Sequence, residues 1–272
     1  MTDEPTRAHE RFRILHEDGT FLMPNAWDVG SARLLESLGF PAIASTSSGF
    51  AASLGRADQQ TTLDELVAHS EELVAAVDIP VSIDAEHGHA IEPEGVADNV
   101  RRLAATGAAG VSIEDYDPQR GLLPLDLAVE RVEAAAAAAA ETGIVLTARA
   151  ENHLYGVDDL DDTVARLRAF RHVGADVLYA PGVTSVPDLE RLVAETGGPV
   201  NALVQGPSPT VAEMKRIGIR RISTGGALAF AAYGAAVAAA RELLERGTHE
   251  YLGALLSVDD RAALDRPAKQ VG

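Results

Sequence analysis

Cysteine is absent from the 272 residues, and that one absence removes disulfides, thiolate metal ligands and every mechanism with a cysteine nucleophile. Basic residues are scarce: 23 against 41 acidic ones leave a formal charge of -18, which repels nucleic acid phosphates and anionic lipid. No nucleic acid or membrane partner is therefore expected, and an anionic substrate must find a local positive site on a metal ion or a buried arginine. The hydrophobic fraction is 46%, yet no continuous apolar run nears the roughly 20 residues that cross a bilayer. The opening stretch Met1-Thr2-Asp3-Glu4-Pro5 lacks the basic start of a signal peptide, so a soluble, cytoplasmic protein is the expectation. Linker-like stretches and charge blocks are missing too, which favours one large domain over 1–272.

What is present is an alternation. Short apolar runs at 21–23, 42–44, 81–84, 110–114, 145–149, 177–179, 200–203 and 221–223 read as strands. Amphipathic segments at 32–37, 62–77, 93–106, 125–142, 158–173, 186–196, 210–217 and 227–246 read as helices. Glycines in Thr106-Gly107-Ala108, Val173-Gly174-Ala175 and Ile217-Gly218-Ile219 stand where a helix ends in a left-handed cap. Eight βα units predict an α/β fold, a (β/α)8 TIM barrel, with an open doubly wound sheet as the alternative. The alanine run 134–140 is expected to be a tightly packed helix. The extension 247–272, with Tyr251, Leu252, Leu255 and Leu256, needs an apolar surface, either its own barrel or a neighbouring subunit.

Barrel active sites lie where strands end, which gives weight to the polar residues there. The third strand ends in Asp84-Ala85-Glu86-His87-Gly88-His89 and the fourth in Glu114-Asp115. Asp84, Glu86 and Glu114 would repel one another unless a hard cation or arginines compensate, and Mg2+ suits carboxylates while keeping waters for a substrate to replace. His87 and His89 read either as proton carriers behind the carboxylates or as loop residues. Arg149 ends the fifth strand and needs an anion, either a substrate carboxylate or an internal partner in Glu114 or Glu151. Asn201 reads either as a hydrogen-bonding partner of substrate or as a residue that satisfies its own loop. The stretch Ser45-Thr46-Ser47-Ser48-Gly49-Phe50 reads as an anion-binding nest of amides or as a tight turn. Its continuation through Arg56 brings Asp58 over the mouth, although a solvent-exposed loop aspartate is the plainer physical account.

These residues resemble the phosphoenolpyruvate mutase and isocitrate lyase superfamily, in particular short bacterial members similar to 2-methylisocitrate lyase, oxaloacetate decarboxylase and carboxyphosphonoenolpyruvate phosphonomutase. The resemblance covers nearly the whole chain. It rests on Pro24-Asn25-Ala26-Trp27-Asp28, Ser53-Leu54-Gly55-Arg56-Ala57-Asp58, Asp84-Ala85-Glu86 to Gly88, Glu114-Asp115 and Ala148-Arg149, in this order and at strand ends. It implies a barrel whose last helix is exchanged with a neighbour, giving homodimers paired into tetramers. It also implies Mg2+ held largely through water by Asp84, Glu86 and Glu114; Mn2+ is the expected substitute. A small carboxylic acid would sit on the metal, on Arg149 and on amides near Ser45, Thr46 and Ser47, with Asp58 close by.

Departures narrow the chemistry. Lyases of the superfamily carry a Lys-Lys-Cys-Gly-His loop after strand four, whereas this chain reads Tyr116-Asp117-Pro118-Gln119-Arg120-Gly121-Leu122, so a cysteine acid or base is excluded. Phosphonate enzymes carry a lysine where Tyr116 stands, a mismatch for phosphorus–carbon chemistry. The remaining expectation is a Mg2+-dependent carbon–carbon lyase or decarboxylase acting on a 2-keto or 2-hydroxy acid through an enolate-like intermediate, with Asp58, Tyr116 or His153 handling the proton. A phosphonate mutase or hydrolase, and a silent metabolite-binding barrel, are the alternatives.

Overall fold

The structure, a computed structural model, describes residues 8–265; residues 266–272 of the extension and the opening heptapeptide lie outside it. Its strands are β1 (Phe21–Met23), β2 (Asn25–Ala26), β3 (Ile43–Ser45), β4 (Val81–Asp84), β5 (Gly110–Glu114), β6 (Tyr116–Asp117), β7 (Gly121–Leu122), β8 (Val145–Arg149), β9 (Val177–Tyr179), β10 (Val200–Leu203) and β11 (Arg221–Ser223). Nine of them form one parallel sheet in the order β1-β11-β10-β9-β8-β5-β4-β3-β2, and β6 and β7 make a separate hairpin. Only Pro24 separates β1 from β2. The first piece pairs with the last strand, Phe21 opposite Arg221, and the second with the next strand, Asn25 opposite Ala44, so the sheet closes on itself. This is the expected barrel, with eight staves of which the first is split at a residue that has no N–H to give. Seven of the eight expected strands keep their bounds; the second runs one residue later, to Ser45.

Around the sheet run α1 (Ala8–Leu15), α2 (Val29–Ser37), α3 (Ser47–Ser53), α4 (Leu63–Ala76), α5 (Pro93–Ala105), α6 (Leu125–Thr142), α7 (Leu160–His172), α8 (Val186–Thr196), α9 (Val211–Ile217), α10 (Ala227–Arg246) and α11 (Val258–Leu264), with a 3-10 turn at Glu250–Ala254. Their starts are chemically marked. Thr62 with Glu65, and Thr210 with Glu213, close reciprocal capping boxes, as Asp28 does with Ser31. Gly107, Gly174 and Gly218 all take positive φ at helix ends, as expected. The alanine run lies inside α6, where Ala135, Ala138 and Ala139 are buried and let α5 approach closely. Aliphatic side chains such as Ile83, Val111, Leu146 and Leu178 fill the space between strands and helices.

One part of the fold was not anticipated, and another was reached only through the resemblance. The helix α1 lies across the amino-terminal end of the barrel, where Phe12 joins Phe21, Ala42, Ala109, Val145 and Val177 in a second apolar cluster. At the other end of the chain, α10 leaves the barrel largely exposed, with only Ala229 and Glu242 buried along it. It is twenty residues, long and apolar enough by length and composition to cross a membrane, although Gly234, Arg241 and Glu242 interrupt its apolar run. Exposed Phe230, Tyr233, Val237, Leu243 and Leu244 share this arm, and Leu252, Leu255, Leu256 and Val258 continue it.

Candidate active site

Side chains at alternate strand positions face the same way, so the inner staves contribute columns to one cavity of about 170 Å3 that opens at the carboxyl-terminal end. Ser82 and Asp84 come from β4, Ser112 and Glu114 from β5, Arg149 from β8, Tyr179 from β9, Asn201 and Leu203 from β10, and Arg221 and Ser223 from β11. The end of β3 and the start of α3 add Ser45, Thr46 and Ser47, and loops add Asp58, Gln59 and Tyr155.

Arg149 is the centre. Its Nη1 lies 2.9 Å from Asp84 Oδ1 and 3.0 Å from Glu114 Oε1, while Nε donates to Glu151 Oε1 at 2.6 Å. Against the cost of burial, Glu114, Glu151 and Asp84 hold the guanidinium firmly charged. Both internal partners weighed for Arg149 are therefore engaged, and Asp84 as well, while the residue still lines the cavity. The Ser47 amide donates to Asp84 Oδ2 at 3.1 Å, and the Asp84 amide donates to Ser45 Oγ at 2.8 Å. The presumed nest is thus the first turn of α3, capped by Thr46, and one of its amides already serves a carboxylate of the site.

Glu86 is 1% exposed, with Oε1 accepting the Gln59 amide at 3.1 Å. Gln59 also donates its side-chain amide to Glu114 Oε2 at 3.2 Å and meets His87 Nδ1 through Oε1 at 3.2 Å. Gln59, Glu86 and His89 have φ of 64, 50 and 51°, all in the left-handed region that non-glycine residues occupy at a cost. His89 Nε2 is 3.5 Å from Glu86 Oε2, beyond a good hydrogen bond, and both atoms are buried without a partner.

Five carboxylates therefore crowd around one arginine. Burial first, then Asp84 and Asp58, push Glu86 up to about 8. Burial raises Glu114 far above the usual carboxylate range despite Arg149. Asp58 stands at the rim, open to water on one side, and partial desolvation in the cavity followed by the Asp84 charge raises it. Beneath them, Asp115 accepts the Glu151 amide at 2.8 Å and pairs with Arg166 at 3.1 Å, tying the end of β5 to the loop after β8. Among the described residues, no three acidic or histidine side chains already converge as a ready-made ligand set.

The expected site residues Ser45, Thr46, Ser47, Asp58, Asp84, Glu114, Arg149 and Asn201 share the cavity. Glu86 lies just behind it, joined through Gln59. Tyr116 and His153 are not among the lining residues. The Tyr116 ring stacks flat on Tyr155 at 3.4 Å between centroids, and His153 turns Nδ1 to Asp158 at 2.8 Å. Sequence reasoning missed Gln59, Tyr155, Tyr179, Ser82, Ser112 and Arg221. Strand alternation carries a signal for the last four; the two loop residues have none.

With this geometry in place, comparison with known proteins is specific. The family described as phosphoenolpyruvate phosphomutase matches residues 12–244. An oxaloacetate decarboxylase of Bradyrhizobium sp. (strain ORS 278) is 32% identical over 222 residues, covering 77% of this chain and 74% of that protein. A solved structure from Burkholderia cenocepacia J2315, described as a lyase or mutase, superposes with a TM-score of 0.92 at 42% identity and covers 96% of both chains. Oxaloacetate acetylhydrolase in complex with its product oxalate gives 0.85 at 28% identity, covering 96% of this chain and 95% of that one. A match of this extent, to relatives named for lyase and mutase reactions, makes the chain a member of the phosphoenolpyruvate phosphomutase family and an enzyme of the isocitrate lyase and phosphoenolpyruvate mutase superfamily.

Proposed function

We propose that the chain cleaves a carbon–carbon bond, loss of carbon dioxide included, in a small 2-keto or 2-hydroxy acid of the oxaloacetate type, with Mg2+ as its cation and Mn2+ as a substitute. The observation that carries this reading is the surplus of negative charge: Asp58, Asp84, Glu86, Glu114 and Glu151 surround a single Arg149, and Glu86 Oε2 is buried with no partner. Oxygen donors in excess of local positive charge fit a hard divalent ion. Asp84, Glu86 and Glu114 would hold it, with waters completing its shell. When bound, the ion supplies positive charge that stabilises an oxyanion growing on the substrate.

The remaining work falls to side chains. Arg149 is fixed by three carboxylates and by Tyr179, whose ring centroid lies 5.0 Å from its Cζ, so it meets a substrate oxygen without reorganising. Asp58, with a raised pKa at the rim of the cavity, is placed to carry the proton. Tyr116 stacks on Tyr155 and His153 pairs with Asp158, both outside the lining, so Asp58 is the one of the three expected proton carriers that the cavity holds. Two relatives are named for reactions of oxaloacetate, which supports the substrate class. We assign the apolar arm of α10 to contact with other copies in a homodimer or tetramer. A phosphonate enzyme is the second reading, favoured by the family description and opposed by Tyr116 where a lysine would be needed.

The test is oxaloacetate turnover with and without EDTA, against the metal-only background, with pyruvate scored separately from oxalate plus acetate. Metal-dependent formation of either product set supports the reading and says which bond breaks. Turnover of phosphonopyruvate alone would replace it with the second.

A further inference from the structure

The cavity goes one layer deeper than the strand-end carboxylates. Ser82, Ser112, Asn201 and Arg221 stand two residues before Asp84, Glu114, Leu203 and Ser223 on the same faces of their strands, and all eight line it. Branched aliphatics ordinarily fill this part of a barrel. A polar layer with an arginine is costly there unless something occupies the space.

Arg221 is 2% exposed, and no carboxylate among the described residues lies within ion-pair distance. Its Nε donates to Asn201 Oδ1 at 2.8 Å and Nη2 to Thr147 Oγ1 at 3.0 Å, while Nη1 lies 3.5 Å from His16 Nε2. All three partners are neutral, His16 because burial and Arg221 itself push it down to about 3. These contacts use three of the five N–H bonds of the guanidinium and leave two. Only Arg149 and Arg221 bring positive charge to the lining, and Arg149 is already paired with three acids through Nη1 and Nε. The lining is therefore polarised, acidic at the strand ends and cationic below.

We infer that Arg221 is the anchor of a second anionic subsite, toward which the distal carboxylate of the proposed oxaloacetate-type substrate points into the barrel. Its keto or hydroxy end then lies among Arg149, Asp84 and Glu114. Carboxylate and guanidinium match in charge and in planar geometry, and the low dielectric strengthens the pairing. Ser82, Ser112 and Asn201 supply neutral hydrogen-bonding groups along the path. This subsite rests on the cavity being the place where carboxylic acids bind.

The decisive experiment is calorimetric titration of the full chain, with Mg2+ present, with malate, malate 4-methyl ester and lactate. Wild type is expected to bind malate at least tenfold more tightly than the ester or lactate. Arg221→Met should lose that preference and bind the ester as wild type does, while Arg221→Lys should keep part of it. Malate and ester binding within twofold in wild type would overturn the inference even if Arg221→Met does not fold, and so would failure of malate to bind. Oxaloacetate turnover without this preference would remove the subsite and leave the proposed reaction standing. The preference without turnover would keep the subsite and remove the reaction.

Discussion

The two ends of the barrel are built on opposite terms. At the amino-terminal end, α1 packs Phe12 and His16 edge-on against each other and Phe21, with centroids 4.7 to 6.2 Å apart, over small aliphatic side chains. Among the described residues, every non-glycine with positive φ, namely Gln59, Glu86 and His89, belongs instead to the carboxyl-terminal end. So do the unpartnered Oε2 atoms of Glu86 and Glu151 and the carboxyls raised by burial. One end lowers the energy of the fold; the other spends some of it to hold charge and strain for a ligand. Backbone strain and unpaired buried charge persist only where surrounding structure imposes them, and here that structure is the well-packed end.

If this contrast is right, activity and stability come apart under mutation. Asp84→Asn should lower kcat/KM on the order of 10³-fold, about 4 kcal/mol of transition-state stabilisation. Unfolding in urea should change by less than about 1 kcal/mol, because Arg149 keeps Glu114 and Glu151 and one repelling charge is gone. A parallel loss of stability would mean that Asp84 serves the fold. The mirror variant is Phe12→Ala, expected to cost about 3–4 kcal/mol of stability through the cavity it leaves. Its kcat, assayed where the protein remains folded, should stay within about threefold, and a large fall would show that the two ends are coupled.

The same contrast explains what the sequence revealed. Strand runs such as 110–114 and 145–149 are apolar, short and bounded, so their positions and the barrel followed from pattern alone, and Asp84, Glu114 and Arg149 stood out as charge ending an apolar run. Helix α1 escaped because an octapeptide with Phe12 as its one fully buried residue has almost no period to detect. The helix start at Ser47 escaped because Ser-Thr-Ser-Ser-Gly is turn chemistry locally, and only the Asp84 carboxylate shows which amide is used. Gln59 could not be read at all: its role depends on a left-handed backbone that brings one side chain to Glu114 and His87, a tertiary fact with no spacing. Arg221 is legible in principle, two residues before Ser223 on an inward face, but the apolar pattern around it marks only a strand, not a charge inside a barrel.

Acid should act on the two ends in opposite directions, and this is the finest test of the comparison. Glu86 titrates near 8 in the fold, above its ordinary value, so the folded state holds the extra proton and the strand-end cluster gains stability as pH falls from 8 toward 5. His16 is the reverse. Burial and Arg221 hold it down at about 3, so its neutral form belongs to the fold; the stability it contributes is complete above about 6.5 and is lost as pH falls from there toward 3. Each pH unit inside that window is worth about 1.4 kcal/mol for one group. His16→Gln removes this proton and leaves the acidic cluster untouched. The unfolding free energies of wild type and variant should therefore run parallel from pH 8 to 7 and converge by roughly 1 kcal/mol between pH 6.5 and 5.5. Profiles that stay parallel throughout would show that His16 is not held neutral, and that Arg221 above it has a charged neighbour after all.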